Sequence, residues 1–471
     1  MKLSTSLLAT AALLATAFAA VPQDEIKSLP LFDKPVPAQT QYSGYLNITS
    51  AQGGKHMHYW FSKAQNDDGS APVIFWFNGG PGCSSMAGFF TEMGRYHFTA
   101  EVGAPVVDEN PWTWSNLAHM VYIEAPAGVG FSYADNSQGL VHNDTSTAED
   151  NYATLMQFFK NYPEYANRDV WITGESYAGI YVPMLAQQVV RRGGMNLKGI
   201  AVGNGCTGTE VGGCSDSQSA RIDFGFLAGN HLISQNTYNQ VLSACNNFQG
   251  NPSLQCLNAQ NDAYNTVGPV DIYDVFTNCI AFEDAAELGV VPGKPRWHAP
   301  PSALDRALVG DGPNACFNDN DTVTQYLNIP AVREAIHVLP SSAIGPWEEC
   351  TENIDYTPTM PDEVTMVYPE LIEAGLDITI YNGNFDLCVP VNGNEEWTSE
   401  FGTKVAGGLK EGWRPWLVDS QVQGYVTTYK GTTSGSKFRF VTVNAAGHMV
   451  PEFQPERAYR MIERILGKEQ F

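Results

Sequence analysis

The chain alternates short apolar runs with amphipathic stretches. Buried strands are predicted over Pro72 to Asn78, His119 to Glu124, Asp169 to Thr173, Leu197 to Val202, Asp377 to Asn382 and Phe438 to Val443. These runs are mostly continuous in polarity, as in strands covered on both faces. Three end in glycine-rich turns: Gly79-Gly80-Pro81-Gly82, the turn from Ala125 to Gly130, and Gly203-Asn204-Gly205. Thr147 to Lys160 and Ile180 to Val190 read as helices, and Thr322 to His337 as one broken at Pro330. Pro455 to Leu466 closes the chain, with its proline where a missing N–H costs nothing. Tyr42 to Leu46 and His56 to Phe61 add strand character. Strands alternating with helices predict an α/β protein with a mixed, mostly parallel sheet.

That pattern stops between Cys206 and about Asp319, where Gly, Asn, Asp, Ser and Cys dominate and helical pieces such as His231 to Cys245 are scattered. The stretch reads as a loop-rich cap held by disulfides, because it lacks the apolar runs of a core. The chain therefore divides into residues 1–20, a first part of the sheet domain (21–204), a cap insertion (205–319) and a second part (320–471). Val21 to Thr40 is proline-rich, and either wraps the surface or serves as a short pro-segment.

Residues 1–20 combine one lysine, an apolar centre and small residues at the end, the pattern of a secretory signal. Their apolar part is too short to span a bilayer. The mature protein is expected to be soluble and secreted, with an acidic vacuole as the alternative destination. Sequons at Asn47, Asn143 and Asn320 agree with export. A net charge of −24 argues against nucleic acid or an anionic membrane as partner. Nine cysteines in an oxidising compartment imply disulfides with one thiol over. No spacing suggests a metal site, and no cofactor is expected.

The chemistry centres on Gly174-Glu175-Ser176-Tyr177-Ala178-Gly179, between a predicted strand and a predicted helix. A serine on such a turn is a nucleophile elbow, although the usual final glycine is here Ala178. Asp386 follows the strand Asp377 to Asn382, and His448 follows Phe438 to Val443. Functional groups of open α/β sheets gather at the carboxyl ends of strands. The order Ser176, Asp386, His448 is that of α/β-hydrolases, with His448 taking the serine proton and Asp386 orienting the imidazole.

Four blocks, Trp76 to Ser85, Gly174 to Gly179, Asn382 to Asp386 and Gly447 to Pro451, make the sequence resemble serine carboxypeptidases of the carboxypeptidase Y type. The resemblance implies an α/β-hydrolase fold and release of C-terminal amino acids through an acyl-enzyme. It implies Gly80 and Tyr177 N–H as oxyanion donors, and Asn78, Glu92 and Glu175 as the grip on the substrate's terminal carboxylate. On sequence alone Glu92 would be a solvated helix residue. Crowded carboxylates cannot all ionise, so acid pH should favour peptides with a free C-terminus. The resemblance suggests Cys83–Cys350; Cys206–Cys214, Cys245–Cys256 and Cys279–Cys316 follow from proximity and the family's general layout, leaving Cys388 as the odd thiol. One departure is Gly-Asn-Phe-Asp at 383–386, where many relatives carry a second acid. The substrate partners implied are peptide and protein C-termini; acyl transfer to alcohols and a non-catalytic binding role are the competing readings. The sequence carries no signal of oligomeric state.

Overall fold

Each of the six predicted apolar runs forms a strand, and together they build the parallel centre of one sheet. The computed structural model describes residues 21–99, 106–207, 219–268, 270–277, 280–281, 316–317, 322–359, 364–404, 407–431 and 436–471. The residues read as a signal lie outside these, as does most of 278–321.

The main sheet runs Gln41–Ser50, Gly53–Ser62, His119–Ile123, Val73–Phe77, Asp169–Glu175, Asn196–Gly203, Asp377–Gly383, Lys437–Val443, Gln421–Lys430 and Leu409–Val418. The six central strands are parallel, from His119–Ile123 across to Lys437–Val443. An antiparallel hairpin closes each side. Their six carboxyl ends therefore meet along one edge.

Side chains alternate between two apolar layers, as strand geometry requires. Val73, Phe75 and Phe77 join one cluster with the helices Asp144–Asn161 and Ala178–Arg192. Ile74 and Trp76 join the other, with Phe89, Trp114 and the closing helix Pro455–Ile465. The first helix starts three residues before its predicted start, because Asn143 caps it in a reciprocal box with Ser146. The segment after residue 20 is built into the second layer, with Ile26, Leu29, Phe32 and Val36 all buried.

Two features depart from the sequence reading. The hairpin Leu409–Lys430 gave no signal, because its outer strand buries Trp416 alone and is broken by register shifts. The insertion is not merely loops stapled by bridges. Helices Ser219–Gly229, Gln235–Ala244 and Leu254–Val267 share a small core of Phe224, Phe226, Leu227, Val241, Ala263 and Tyr264. Helical spacing concealed it, since its apolar residues are never consecutive for long. Leu387, next to Asp386, packs into this core and joins it to the sheet.

The disulfides Cys83–Cys350 and Cys245–Cys256 are present. Cys214 and Cys279 lie outside the described residues, and so do the two pairings that involve them. Asn47 is exposed, Asn143 is the helix cap described above, and Asn320 lies outside the described residues.

One ion pair tests how the hairpin is held to the first helix. Lys55 Nζ meets Asp150 Oδ2 at 2.5 Å with the lysine side chain fully buried. Lys55→Met leaves a buried carboxylate unpaired and should cost about 3–5 kcal/mol in chemical denaturation, whereas Lys55→Met with Asp150→Leu should regain most of it. Equal losses in the single and double variants would mean that packing, not the charge, sets the cost.

Candidate active site

The elbow is set by backbone contacts. Ser176 has φ +60°, in the left-handed region, and its N–H donates to Gly203 O at 3.0 Å. Its own carbonyl accepts from Gly179 and Cys206 N–H, both at 2.9 Å. The alanine in place of the usual last glycine fits because residue 174 has no side chain. A Cβ on Gly174 would lie 2.7 Å from the Ala178 methyl and 2.4 Å from Phe77 O. The Tyr177 hydroxyl donates to buried Asp144 at 2.9 Å, which anchors the residue after the serine.

Asp386 and His448 come from adjacent strand ends. His448 Nδ1 lies 2.7 Å from Asp386 Oδ2, and both residues are buried. Asp386 accepts two further hydrogen bonds, from Asn204 Nδ2 at 2.7 Å and from Cys388 N–H at 2.8 Å. The His448 N–H donates to Tyr273 O at 2.7 Å, and the tyrosine ring sits edge-on to the imidazole at 5.1 Å. Asn384, in the place of the family's second acid, accepts from Ala445 N–H at 2.8 Å and so ties the aspartate turn to the histidine turn. Cys388 is half-buried and carries a thiol. Asp386, Cys388 and His448 each bring one ligand atom within 4.8 Å of the others, but the aspartate and histidine atoms already bond one another.

The glycine turn faces the elbow. A Cβ on Gly79 would lie 2.4 Å from Tyr177 N, so only glycine allows this approach. Gly80 has φ +109° and Gly82 φ +106°, and Cys83 N–H closes the turn on Gly79 O at 3.0 Å. Among the described residues neither the Gly80 nor the Tyr177 amide donates to another backbone group.

Asn78 precedes that turn. Its Oδ1 accepts from Trp76 Nε1 at 2.7 Å and Gly88 N–H at 3.3 Å, which fixes the amide's orientation. The Nδ2 side is thereby aimed at Glu175 Oε1 (2.9 Å) and Glu92 Oε1 (3.4 Å). Glu92 sits on a single π-helical turn, Gly88–Glu92, and is 3 % exposed, the opposite of a solvated helix residue. The two carboxyl groups lie close enough to interact directly. Burial, then the charge of Glu452, pushes the Glu92 carboxyl up to about 8. Burial, then the charges of Glu92 and Glu452, holds Glu175 well above the usual carboxylate range. At neutral pH the pair retains protons.

One cavity is lined by Asn78, Gly80, Glu92, Glu175, Ser176 and His448. Glu349 and Glu452 line it as well. Sequence reasoning missed both, together with Asn204, Tyr273 and Asp144. Asn204 carried a signal in the turn Gly203-Asn204-Gly205, since asparagine between glycines suits the left-handed region that it adopts, at φ +42°. Glu349, beside Cys350, and Glu452, four residues past His448, carried none.

The family model for serine carboxypeptidase matches residues 30–468. The chain is 36% identical over 491 residues to the lysosomal protective protein of Mus musculus, covering 96% of this chain and 95% of that one. It is 33% identical over 493 residues to serine carboxypeptidase 1 of Hordeum vulgare, covering 95% and 93%. Among solved structures it is similar to Kex1(Δ)p, a prohormone-processing carboxypeptidase from Saccharomyces cerevisiae, with TM-score 0.65, 20% identity and 91% of each chain covered. The chain belongs to the serine carboxypeptidase family: it has an α/β-hydrolase fold and is a serine-type exopeptidase that releases C-terminal amino acids. Among the described residues no helix is long and apolar enough to cross a membrane.

Asn204 gives this geometry a kinetic test. Asn204→Ala removes one charge-assisted donor from Asp386, and kcat should fall about 10- to 100-fold with KM unchanged. A wild-type kcat in a folded Asn204→Ala protein would show that the Asp386–His448 pair needs no such support.

Proposed function

We propose that Ser176, Asp386 and His448 are the catalytic triad, and that Asn78, Glu92 and Glu175 select substrates with a free C-terminus. The observation that carries this reading is the buried pair of carboxyl groups held by Asn78, lining the same cavity as Ser176 and His448. His448 Nε2 takes the Ser176 proton as Oγ attacks the last peptide carbonyl. The tetrahedral oxyanion accepts from the Gly80 and Tyr177 amides. His448 then gives its proton to the leaving amino group, the C–N bond breaks, and the terminal residue departs. Water, deprotonated by His448, attacks the acyl-enzyme; the ester bond breaks and the proton returns to Ser176. Asp386 holds the imidazole with Nδ1 protonated throughout and stabilises the imidazolium.

The grip uses acids to bind an acid. A protonated carboxyl donates to the substrate carboxylate, and Asn78 Nδ2 adds a neutral donor. The sign of the pH effect follows from the raised Glu92. Below about pH 8 Glu92 is neutral and donates; above it the pair gains negative charge opposite the substrate and repels it. The preference for acid is thus the ratio of peptide-acid to peptide-amide hydrolysis, which rises as pH falls.

Export completes the reading. The disulfides Cys83–Cys350 and Cys245–Cys256 suit an oxidising compartment, in line with a signal over residues 1–20 and glycans on Asn47 and Asn143.

Two measurements test the mechanism. Ser176→Ala should lose on the order of 10⁶ in kcat and escape fluorophosphonate labelling, which the wild type undergoes. Turnover near the wild-type rate would remove Ser176 from the chemistry. For the grip, KM of a peptide acid should climb as pH rises through about 8, while that of its amide stays level. In Glu92→Gln with Glu175→Gln the two profiles should run parallel. Profiles that already run parallel in the wild type would exclude these glutamates as the grip.

A further inference from the structure

We infer that Glu124 is a positioning residue for the oxyanion hole, acting on the glycine turn through Ser84 and Trp347. It follows the strand His119–Ile123, which lies beside the strand carrying that turn, and is fully buried. Four donors from separate segments converge on its carboxylate. Oε1 accepts from the Ser84 hydroxyl and from Trp347 Nε1 at 2.9 Å. Oε2 accepts from His58 Nδ1 at 2.8 Å and Phe131 N–H at 2.7 Å. A buried carboxylate so fully satisfied is a rigid junction.

His58 is itself anchored on its far side. Ser43 has one hydroxyl proton, and it goes to Ile336 O at 2.7 Å. His58 Nε2, 2.8 Å from the same hydroxyl, must then donate to it. His58 is thus held from both sides, by Glu124 at Nδ1 and by Ser43 at Nε2.

The catalytic consequence lies in what Ser84 and Trp347 are attached to. Ser84 follows Cys83 directly, and Ser85 Oγ donates to Ile123 O at 2.6 Å while accepting from Asn78 N–H at 3.1 Å. Two adjacent serines thus tie the far end of the glycine turn to the end of the neighbouring strand. Trp347 leads into Cys350, the disulfide partner of Cys83. Around that bridge Ser84 N–H donates to Glu349 O at 2.7 Å and Thr351 N–H to Gly82 O at 3.0 Å. Glu124 therefore holds both sides of the bridge, one through Ser84 and the other through Trp347.

Gly80 lies inside the turn these contacts clamp. At φ +109° no side chain restrains it, so its N–H points where the turn's ends direct it. An oxyanion donor works only when aimed at the position where charge develops. The groups read as binding the substrate carboxylate do not touch Glu124. Loosening the junction should therefore reduce kcat and spare KM. The inference rests on Gly80 being an oxyanion donor.

Ser84→Ala removes one donor with little change of volume, Trp347→Phe removes another and leaves a small cavity, and Ser84→Thr restores the hydroxyl. Rates are taken per active site, counted by exhaustive fluorophosphonate labelling, so loss by unfolding does not enter. In Ser84→Ala and Trp347→Phe, kcat and the second-order labelling rate should both fall about tenfold, with peptide KM unchanged and Ser84→Thr close to wild type. If Ser84→Ala does not fold, Trp347→Phe decides alone. Wild-type kcat and labelling rate in the folded variants, with only a lowered thermal midpoint, would overturn the inference. A crystal structure of the wild-type phosphonyl adduct separates this failure from one beneath it. A phosphonyl oxygen against the Gly80 and Tyr177 amides keeps the hole, and the variants then judge Glu124. An oxygen away from Gly80 removes the hole and this inference together.

Discussion

The active edge depends on one backbone-to-backbone approach, that of the glycine turn to the elbow. The parallel register places Phe77 beside Gly174, so the chain leaves two neighbouring strands at the same height. The turn after Phe77 and the elbow after Gly174 must then share the space above the sheet. They do so only because residues 79 and 174 lack side chains, with clearances to a built Cβ of 2.4 Å in both cases. The strained serine, the alanine at 178 and the closeness of the glycine turn to the Tyr177 amide all follow from that contact. A wider spacing would relieve the strain and separate the amides.

The same geometry puts a polar residue at the end of each of the six parallel strands. Glu124, Asn78, Ser176, Asn204, Asp386 and His448 follow the strands in their order across the sheet. Backbone groups at strand ends have no further ladder partner, and polar side chains there satisfy them. Asn204 shows both duties at once: its Oδ1 accepts from Gly383 N–H at 3.1 Å while its Nδ2 holds Asp386. Structural and chemical roles are not separable along this edge.

This explains how much of the molecule could be read from its residues. Buried parallel strands are apolar throughout, so all six central strands were legible, and the serine, aspartate and histidine stood out at three of their ends. The outer hairpin was not, because an edge strand that buries one tryptophan carries no period. The insertion's core was hidden for a related reason, since Phe224, Val241 and Tyr264 come from three short helices and no run contains them. Glu92 was visible only through resemblance: its burial is decided by Asn78 and by packing of the π-helical turn, neither of which is local in sequence. Asn204 was legible as a turn and illegible as a partner of a residue 182 positions away.

A guanidinium would bind a carboxylate more strongly, and at every pH at which enzymes work. On the proposed grip, using Asn78 with two buried acids instead makes binding conditional on a proton. The proton is secured by burial first, and then by the negative charges nearby, including Glu452. In that proposal the surrounding acidity is part of the recognition device, because each added carboxylate raises the pH to which Glu92 and Glu175 stay neutral. A cation in their place would hold a cleaved amino acid as firmly as a substrate. An acid pair at the limit of its protonation binds more weakly, and weak binding of the terminal carboxylate lets the leaving residue go after each cycle.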